Sequence, residues 1–184
     1  MKPIAISAGH YPEAKGAYNK THNLWEYDIC TNIASIVAIE LQELNIPIVF
    51  VPTGALTKKI AFINKSDCLC AVEIHLNSAS DLFISVIGSG TECLYYPRSE
   101  RGKTLAQFCQ TALVFNLSLR DRGLVARERL AFLSRTTCPS VITEALFLNN
   151  NVEVESYLLD DHGIKLIVNA HVKALQQYYQ WRKK

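Results

Sequence analysis

The sequence lacks most features that would set it apart from ordinary globular proteins. Its 184 residues carry 19 basic and 17 acidic side chains, a net charge of +2. A nucleic-acid-binding domain would need a strongly basic surface, so no nucleic-acid partner is expected. The sequence has no run of about 18 apolar residues, the length that a membrane-spanning helix needs. Repeats and low-complexity tracts are missing too. We therefore expect one globular domain over residues 1–184, without a transmembrane segment.

The cysteines and the N-terminus bear on the compartment. Six cysteines are present, but no Cys-x-x-Cys pair occurs, so a zinc ribbon is not supported. Cys68 and Cys70 flank a single residue, and Cys30, Cys109 and Cys138 lie in apolar stretches. This placement indicates six reduced, structural thiols. The apolar stretch at the N-terminus is too short for a signal peptide. We expect a protein that is cytoplasmic as synthesised.

Strand and helix patterns alternate along the chain, which favours an α/β fold with a central sheet covered on both faces. The predicted strands cover residues 3–7, 47–51, 69–76, 91–96 and 140–146. The predicted helices cover residues 24–44, 55–65, 99–116, 151–159 and 163–181. The stretch between the third helix and Pro139 is predicted to be irregular.

Four polar side chains stand at strand ends, in an apolar pattern or at a helix start. His10 follows the first strand, His75 lies near the end of an apolar strand, Glu144 lies within the last strand and Glu26 begins the long helix. In open α/β sheets, functional groups gather at the carboxyl ends of strands and in the loops that follow. The four residues are therefore candidates for a common site.

Each candidate also has a purely structural explanation. Glu26 follows Asn23 by three residues and fits the far half of a capping box. His75 fits a hydrogen-bonded core histidine, and His10 fits an exposed loop residue. Glu144 lies among apolar residues, so its carboxylate must be bound or paired, for example with an arginine.

Taken together, the four residues favour a metal site. Two histidines and a carboxylate are the ligands of a catalytic zinc ion that leaves its fourth position to water. A further carboxylate would supply the base that such hydrolases need. The residues are far apart in sequence, so spacing alone does not establish the site.

Five segments, taken in order, resemble the zinc-dependent N-acetylmuramoyl-L-alanine amidases of the Amidase_3 type. The segments are Ser7-Ala8-Gly9-His10 with Gly16-Ala17; Asn23-Leu24-Trp25-Glu26; Glu73-Ile74-His75-Leu76-Asn77; Gly90-Thr91-Glu92-Cys93-Leu94-Tyr95-Tyr96; and Pro139 to Glu144, Phe147 and Asn149 or Asn150. They cover essentially the whole chain, and their order makes the resemblance specific.

The resemblance implies a mixed, twisted sheet of about six strands flanked by helices on both faces. It makes His10, Glu26 and His75 the ligands of one zinc ion and Glu144 the catalytic carboxylate. The implied reaction is hydrolysis of the amide bond between N-acetylmuramic acid and L-alanine in peptidoglycan. With no export signal and no room for a separate cell-wall-binding domain, the chain is most similar to a bacteriolytic phage or prophage endolysin, expected to be a monomer that acts on the wall after release.

The chain departs from the family pattern in three places. Pro52-Thr53-Gly54 stands where family members often have a Thr-Arg pair. The loop after His75 is short, which predicts an open cleft. Glu73 replaces a small residue; it could orient a metal ligand, but an outward-facing side chain is the interpretation we favour from the sequence.

Two other functions fit the same residues. A zinc carboxypeptidase or endopeptidase acting on stem peptides would use two histidines and a glutamate, with Arg122, Arg127 or Arg129 binding a substrate carboxylate. A non-catalytic peptidoglycan-binding module would need a degenerate site, whereas all four polar residues are present.

Overall fold

The computed structural model describes residues 2–79 and 88–183. The strands in these ranges are β1 (Ile4–Ala8), β2 (Tyr18–Asn19), β3 (Leu24–Trp25), β4 (Ile48–Phe50), β5 (Cys70–Asn77), β6 (Thr91–Tyr95), β7 (Asp121–Ala126) and β8 (Ser140–Phe147). The helices are α1 (Glu26–Glu43), α2 (Leu56–Lys65), α3 (Glu100–Leu117), α4 (Ala131–Arg135), α5 (Asn151–Tyr157) and α6 (Asp161–Trp181).

The main sheet has six strands in the order β4-β1-β5-β8-β6-β7. Strands β4, β1, β5 and β8 are parallel, whereas β6 runs antiparallel to β8 and parallel to β7. The carboxyl ends of β1, β5 and β8 therefore meet the amino end of β6 at one edge. The predicted mixed sheet of about six strands is confirmed.

Alternate residues of each strand pack on opposite faces of the sheet, as strand geometry requires. Ile4 and Ile6 lie in a large core with helices α1, α3 and α6, whereas Ala5 lies in a smaller core with α2 and α4. Ile33 and Val37 of α1 recur at helical spacing and are fully buried. Burial of such a side chain stabilises the folded state by about 1.5–3 kcal/mol relative to leaving it exposed. The helices thus cover both faces, as predicted.

The stretch predicted to be irregular before Pro139 holds two regular elements, strand β7 and helix α4, so that prediction was wrong. Strand β7 is an edge strand that pairs only with β6 in the described part of the chain, and much of it is exposed. It lacks the apolar alternation of a half-buried strand. Helix α4 has 5 residues, too few for a periodic pattern.

The remaining local features bear on the expectations from the sequence. All six cysteines are free thiols, and five of them are buried. None of the helices in the described ranges combines the length and the apolarity needed to cross a bilayer.

A buried histidine joins the last helix to the last strand. His171 of α6 is fully buried, with Nδ1 2.8 Å from the Ile167 carbonyl oxygen and Nε2 2.9 Å from Thr143 Oγ1. A carbonyl can only accept, so Nδ1 carries the proton and Nε2 accepts the hydrogen bond of the Thr143 hydroxyl. Burial lowers the pKa of His171 to about 4, although the bond to Ile167 opposes the shift.

We expect this histidine to weaken the fold in mild acid. In the unfolded chain the imidazole takes up a proton below about pH 6.5, whereas in the folded chain it does so only near pH 4. The unfolded state therefore binds more protons than the folded state between these pH values. The neutral, buried His171 contributes fully to the free energy of unfolding above pH 6.5, and this contribution, up to about 3 kcal/mol, is lost as the pH falls toward 4. Urea unfolding between these pH values should show a shallower pH dependence for His171→Gln than for the wild type. The exposed His162→Gln is the control; an unchanged pH dependence in His171→Gln would contradict the assignment.

Candidate active site

The fold brings the four candidate residues to one edge of the sheet. His10 lies in the loop after β1, His75 lies in β5, Glu26 is the first residue of α1 and Glu144 lies in β8. His75 and Glu144 are paired across adjacent strands, and Glu144 is also paired with Glu92 of β6. The row of side chains from His75 to Glu92 therefore lies on one face of the sheet.

His10, Glu26 and His75 form a compact triad. Glu26 Oε2 lies 3.0 Å from His10 Nε2, and Glu26 Oε1 lies 2.9 Å from His75 Nδ1. One ligand atom from each residue lies within 4.8 Å of the other two. Two imidazole nitrogens and a carboxylate oxygen at this separation are a donor set that suits zinc. The triad fits a single metal ion.

The capping box considered as a structural alternative for Glu26 is not formed. The residue before the helix, Trp25, makes no side-chain capping bond. Asn23 accepts a hydrogen bond from the Tyr18 hydroxyl instead. The Glu26 carboxylate turns away from the helix start toward the two histidines and accepts the backbone N–H of Ala17.

Two glycines make room for the triad. Gly9 precedes His10, and a Cβ at Gly9 would lie 2.4 Å from His75 Cε1. Gly16 has a φ of 77°, and a Cβ there would lie 2.5 Å from both His10 Nε2 and Glu26 Oε2. These distances exclude any side chain at either position without displacing the triad. The Gly-His and Gly-Ala elements of the sequence thus have a steric basis.

The triad is electrostatically polarised. Burial acts to raise the pKa of Glu26, but hydrogen bonds from His10 and His75 outweigh it and lower the pKa to about 2. Burial likewise disfavours the charged form of His75, but hydrogen bonds to Glu26 and Glu73 raise its pKa to about 10. A metal ligand must be deprotonated, so metal binding here is coupled to proton release.

Glu144 lies in the opposite electrostatic situation. Burial raises the pKa of its carboxyl to about 7; His75 opposes this shift, and the carboxylates of Glu26, Glu92 and Glu73 add to it. Its Oε2 atom is buried and has no hydrogen-bond partner among the described residues. The arginine pair considered from the sequence is not formed within the described ranges. A carboxyl group with a pKa near neutrality can both accept and return a proton.

Glu73 was wrongly interpreted as outward-facing. It is 4% exposed, its Oε2 lies 3.2 Å from His75 Nε2, and its Oε1 lies 3.4 Å from Lys59 Nζ of α2. Residues two apart on a strand share a face, so the position of His75 could have predicted this orientation. Lys59 carried no comparable signal in the sequence.

One of the three arginines considered above, Arg122, contacts residues next to Glu144. Arg122 Nε lies 2.7 Å from Glu92 Oε2, and its guanidinium lies over the Phe147 ring at 4.9 Å. Asn77 donates to the other oxygen of Glu92. Arg122 is therefore already paired with a carboxylate of the protein.

A cavity of about 190 Å³ opens beside the triad. It is lined by His10, Tyr11, Gly54, Leu56, Lys59, Glu73 and His75. The loop predicted to leave the cleft open includes residues 80–87, which lie outside the described ranges.

The contacts at Gly16 yield a prediction. Gly16→Ala should strongly weaken the binding of a metal ion at the triad, because the added methyl group would displace the His10 ring and the Glu26 carboxylate. Gly123→Ala is a matched control: its φ of 82° imposes similar backbone strain, of about 1–2 kcal/mol, but no atom of the described residues outside its chain neighbours lies within 4 Å of the added Cβ. Competition with a chromophoric chelator measures the affinity. Equal zinc binding by the two variants would contradict the steric argument.

Comparison with known proteins identifies the family. Residues 4–177 match the family model described as N-acetylmuramoyl-L-alanine amidase (Amidase_3). An uncharacterised protein, YqiI of Bacillus subtilis (strain 168), is 27% identical, with 97% of this chain and 85% of the relative covered.

Two solved structures show the same fold. The N-acetylmuramoyl-L-alanine amidase of Clostridium difficile 630 superposes with a TM-score of 0.89, at 25% identity and with 97% of each chain covered. The catalytic domain of the CD27L endolysin targeting Clostridia difficile superposes with a TM-score of 0.79, at 20% identity, with 96% of this chain and 98% of the other covered. On the match over residues 4–177, the chain belongs to the N-acetylmuramoyl-L-alanine amidase family.

Proposed function

We propose that this amidase is a zinc enzyme that uses His10, Glu26 and His75 as metal ligands and Glu144 as its catalytic carboxylate. The observation that carries the proposal is the triad itself, three ligand atoms within 4.8 Å of one another. Glu144 of β8 lies next to the triad, because it is paired with His75 of the neighbouring strand β5. The bond hydrolysed is the amide between N-acetylmuramic acid and L-alanine.

Zinc, when bound, would supply a Lewis acid that polarises the scissile carbonyl and increases the acidity of water. The residues of the chain divide the remaining work. Glu144 accepts a proton from the attacking water and returns it to the departing nitrogen of L-alanine. Burial raises the pKa of Glu144, which favours uptake of the proton. Its Oε2, which has no hydrogen-bond partner among the described residues, is the atom available for the proton.

The first experiment is digestion of purified peptidoglycan by the zinc-loaded protein, followed by mass spectrometry. We expect stem peptides with free L-alanine amino termini, loss of the activity on chelation and recovery on adding zinc. Cuts within the stem peptide would favour the peptidase alternative. Bound zinc without any cut would favour a peptidoglycan-binding module. Undiminished digestion after complete removal of metal would contradict the proposed role of zinc.

The role of Glu144 is tested by Glu144→Gln, which preserves the shape of the side chain but removes its basicity. We expect zinc affinity to stay close to that of the wild type and kcat to fall by about 10²–10⁴, the usual size of a general acid–base contribution. The exposed Glu128→Gln serves as the control. If Glu144→Gln keeps its activity while fully loaded with zinc, another group is the base.

The biological role that we propose is lysis of a bacterial host, as by an endolysin. Its support is the fold shared with the CD27L catalytic domain. Turbidity of membrane-permeabilised bacterial cells should fall when active protein is added and should stay constant with Glu144→Gln. Digestion of isolated sacculi without clearing of any cell suspension would argue for a wall-remodelling role instead.

A further inference from the structure

A buried ion pair lies beneath the metal-binding triad. Lys59 of α2 and Glu73 of β5 are each 4% exposed, and Lys59 Nζ lies 3.4 Å from Glu73 Oε1. Burying two charges is costly, so a buried pair is weak evidence for a role in stability alone. The position of the pair, in contact with both histidines of the triad or their loops, suggests another role.

Lys59 holds the loop that carries His10. Besides Glu73, its ammonium group donates to the backbone carbonyl oxygens of Ala8 and His10, the latter at 2.7 Å. Three acceptors satisfy the three N–H donors of a lysine. His10 has a φ of 62°, in the left-handed region that residues other than glycine rarely adopt. Lys59 thus stabilises a strained turn at His10, the residue whose side chain belongs to the triad.

Glu73 holds the ring of His75. Its Oε2 lies 3.2 Å from His75 Nε2, on the side of the ring opposite to the 2.9 Å contact between Nδ1 and Glu26. A carboxylate only accepts, so Nε2 donates to it. Metal-binding histidines generally donate their second ring N–H to a carboxylate or carbonyl, which sets the orientation of the ring. Ser7 Oγ donates to the other oxygen of Glu73 at 3.3 Å.

We propose that Lys59 and Glu73 act together as a positioning pair that orients both histidine ligands, Glu73 through the His75 ring and Lys59 through the His10 loop. The inference rests on the proposed metal site and assigns neither residue to the metal or to the substrate. Its structural basis is the continuous chain of contacts from the His10 carbonyl through Lys59 and Glu73 to His75. Neither histidine ligand is then oriented independently of the other.

Two double variants separate positioning from stability. Lys59→Met/Glu73→Leu removes both charges and the acceptor beside His75, and replacing a buried pair by apolar residues commonly leaves a fold intact. Lys59→Met/Glu73→Gln differs only in keeping an amide oxygen that can accept from Nε2. Both should melt close to the wild-type temperature. The exposed pair Lys165–Glu40 between α6 and α1 provides the control, Lys165→Met/Glu40→Gln.

We expect Lys59→Met/Glu73→Leu to bind zinc about 10–100-fold more weakly than the wild type, the usual effect of losing such a partner. Lys59→Met/Glu73→Gln should recover part of this loss, and the control should bind as the wild type does. Competition with a chromophoric chelator measures the dissociation constants. In the zinc-loaded variants, we expect kcat on peptidoglycan to fall with KM unchanged, because the proposal assigns neither residue of the pair to substrate binding.

Wild-type zinc affinity in both double variants would overturn the positioning role, as would an equal loss in the Leu and Gln variants. If Lys59→Met/Glu73→Leu prevents folding, Lys59→Met/Glu73→Gln, which keeps a polar side chain at position 73 without its charge, applies the same test to the His10 loop and should also weaken zinc binding. His10→Ala separates this inference from the proposed function. If His10→Ala loses zinc while both double variants bind zinc as the wild type does, the positioning pair is contradicted and the proposed metal site stands. A wild-type protein that binds no zinc at the triad would sink both.

Discussion

The carboxylate of Glu26 is the interaction on which the arrangement of the site depends. Glu26 is the first residue of α1, yet its carboxylate contacts His10 in the loop after β1 and His75 in β5. It also accepts hydrogen bonds from the backbone N–H groups of Ala17 and Leu76. A buried carboxylate is tolerated only when its oxygens are satisfied. Four donors meet that requirement here, and they come from three separate parts of the chain. The need to satisfy this one group fixes how the first helix sits against the carboxyl ends of two strands.

The partners of two neighbouring carboxyl groups explain why their pKa values shift in opposite directions. Because β6 runs antiparallel to β8, it brings Glu92 into the same row as Glu144, beside other acidic groups. Hydrogen bonds from two imidazoles outweigh the burial of Glu26 and lower its pKa to about 2, whereas burial raises the pKa of Glu144 to about 7, with nearby carboxylates adding to the shift and His75 opposing it. Opposed shifts of this kind are how one site supplies both a permanent anion and a group that exchanges protons at neutral pH.

The sequence predicted what depends on local patterns. The strands that hold His75 and Glu144 are apolar runs interrupted by a few polar residues, and such an interruption is visible without a structure. The three members of the triad and Glu144 were all named in advance, and the structure places them together; their roles stay predictions. Strand β7 could not be predicted because an edge strand with exposed residues has no apolar alternation. Lys59 could not be predicted either, because its partners lie 14 to 51 residues away in sequence.

The error at Glu73 has an energetic explanation that extends to Lys59. A glutamate on a strand is usually solvated, which favoured the outward orientation, but its alternation with His75 places it on the buried face. Such a glutamate requires a cation, since an unpaired buried carboxylate would neutralise or disrupt the strand. The same holds in reverse for Lys59, whose other two acceptors are neutral carbonyls. The two charges are therefore interdependent, and each is tolerable in the buried position only because the other is present.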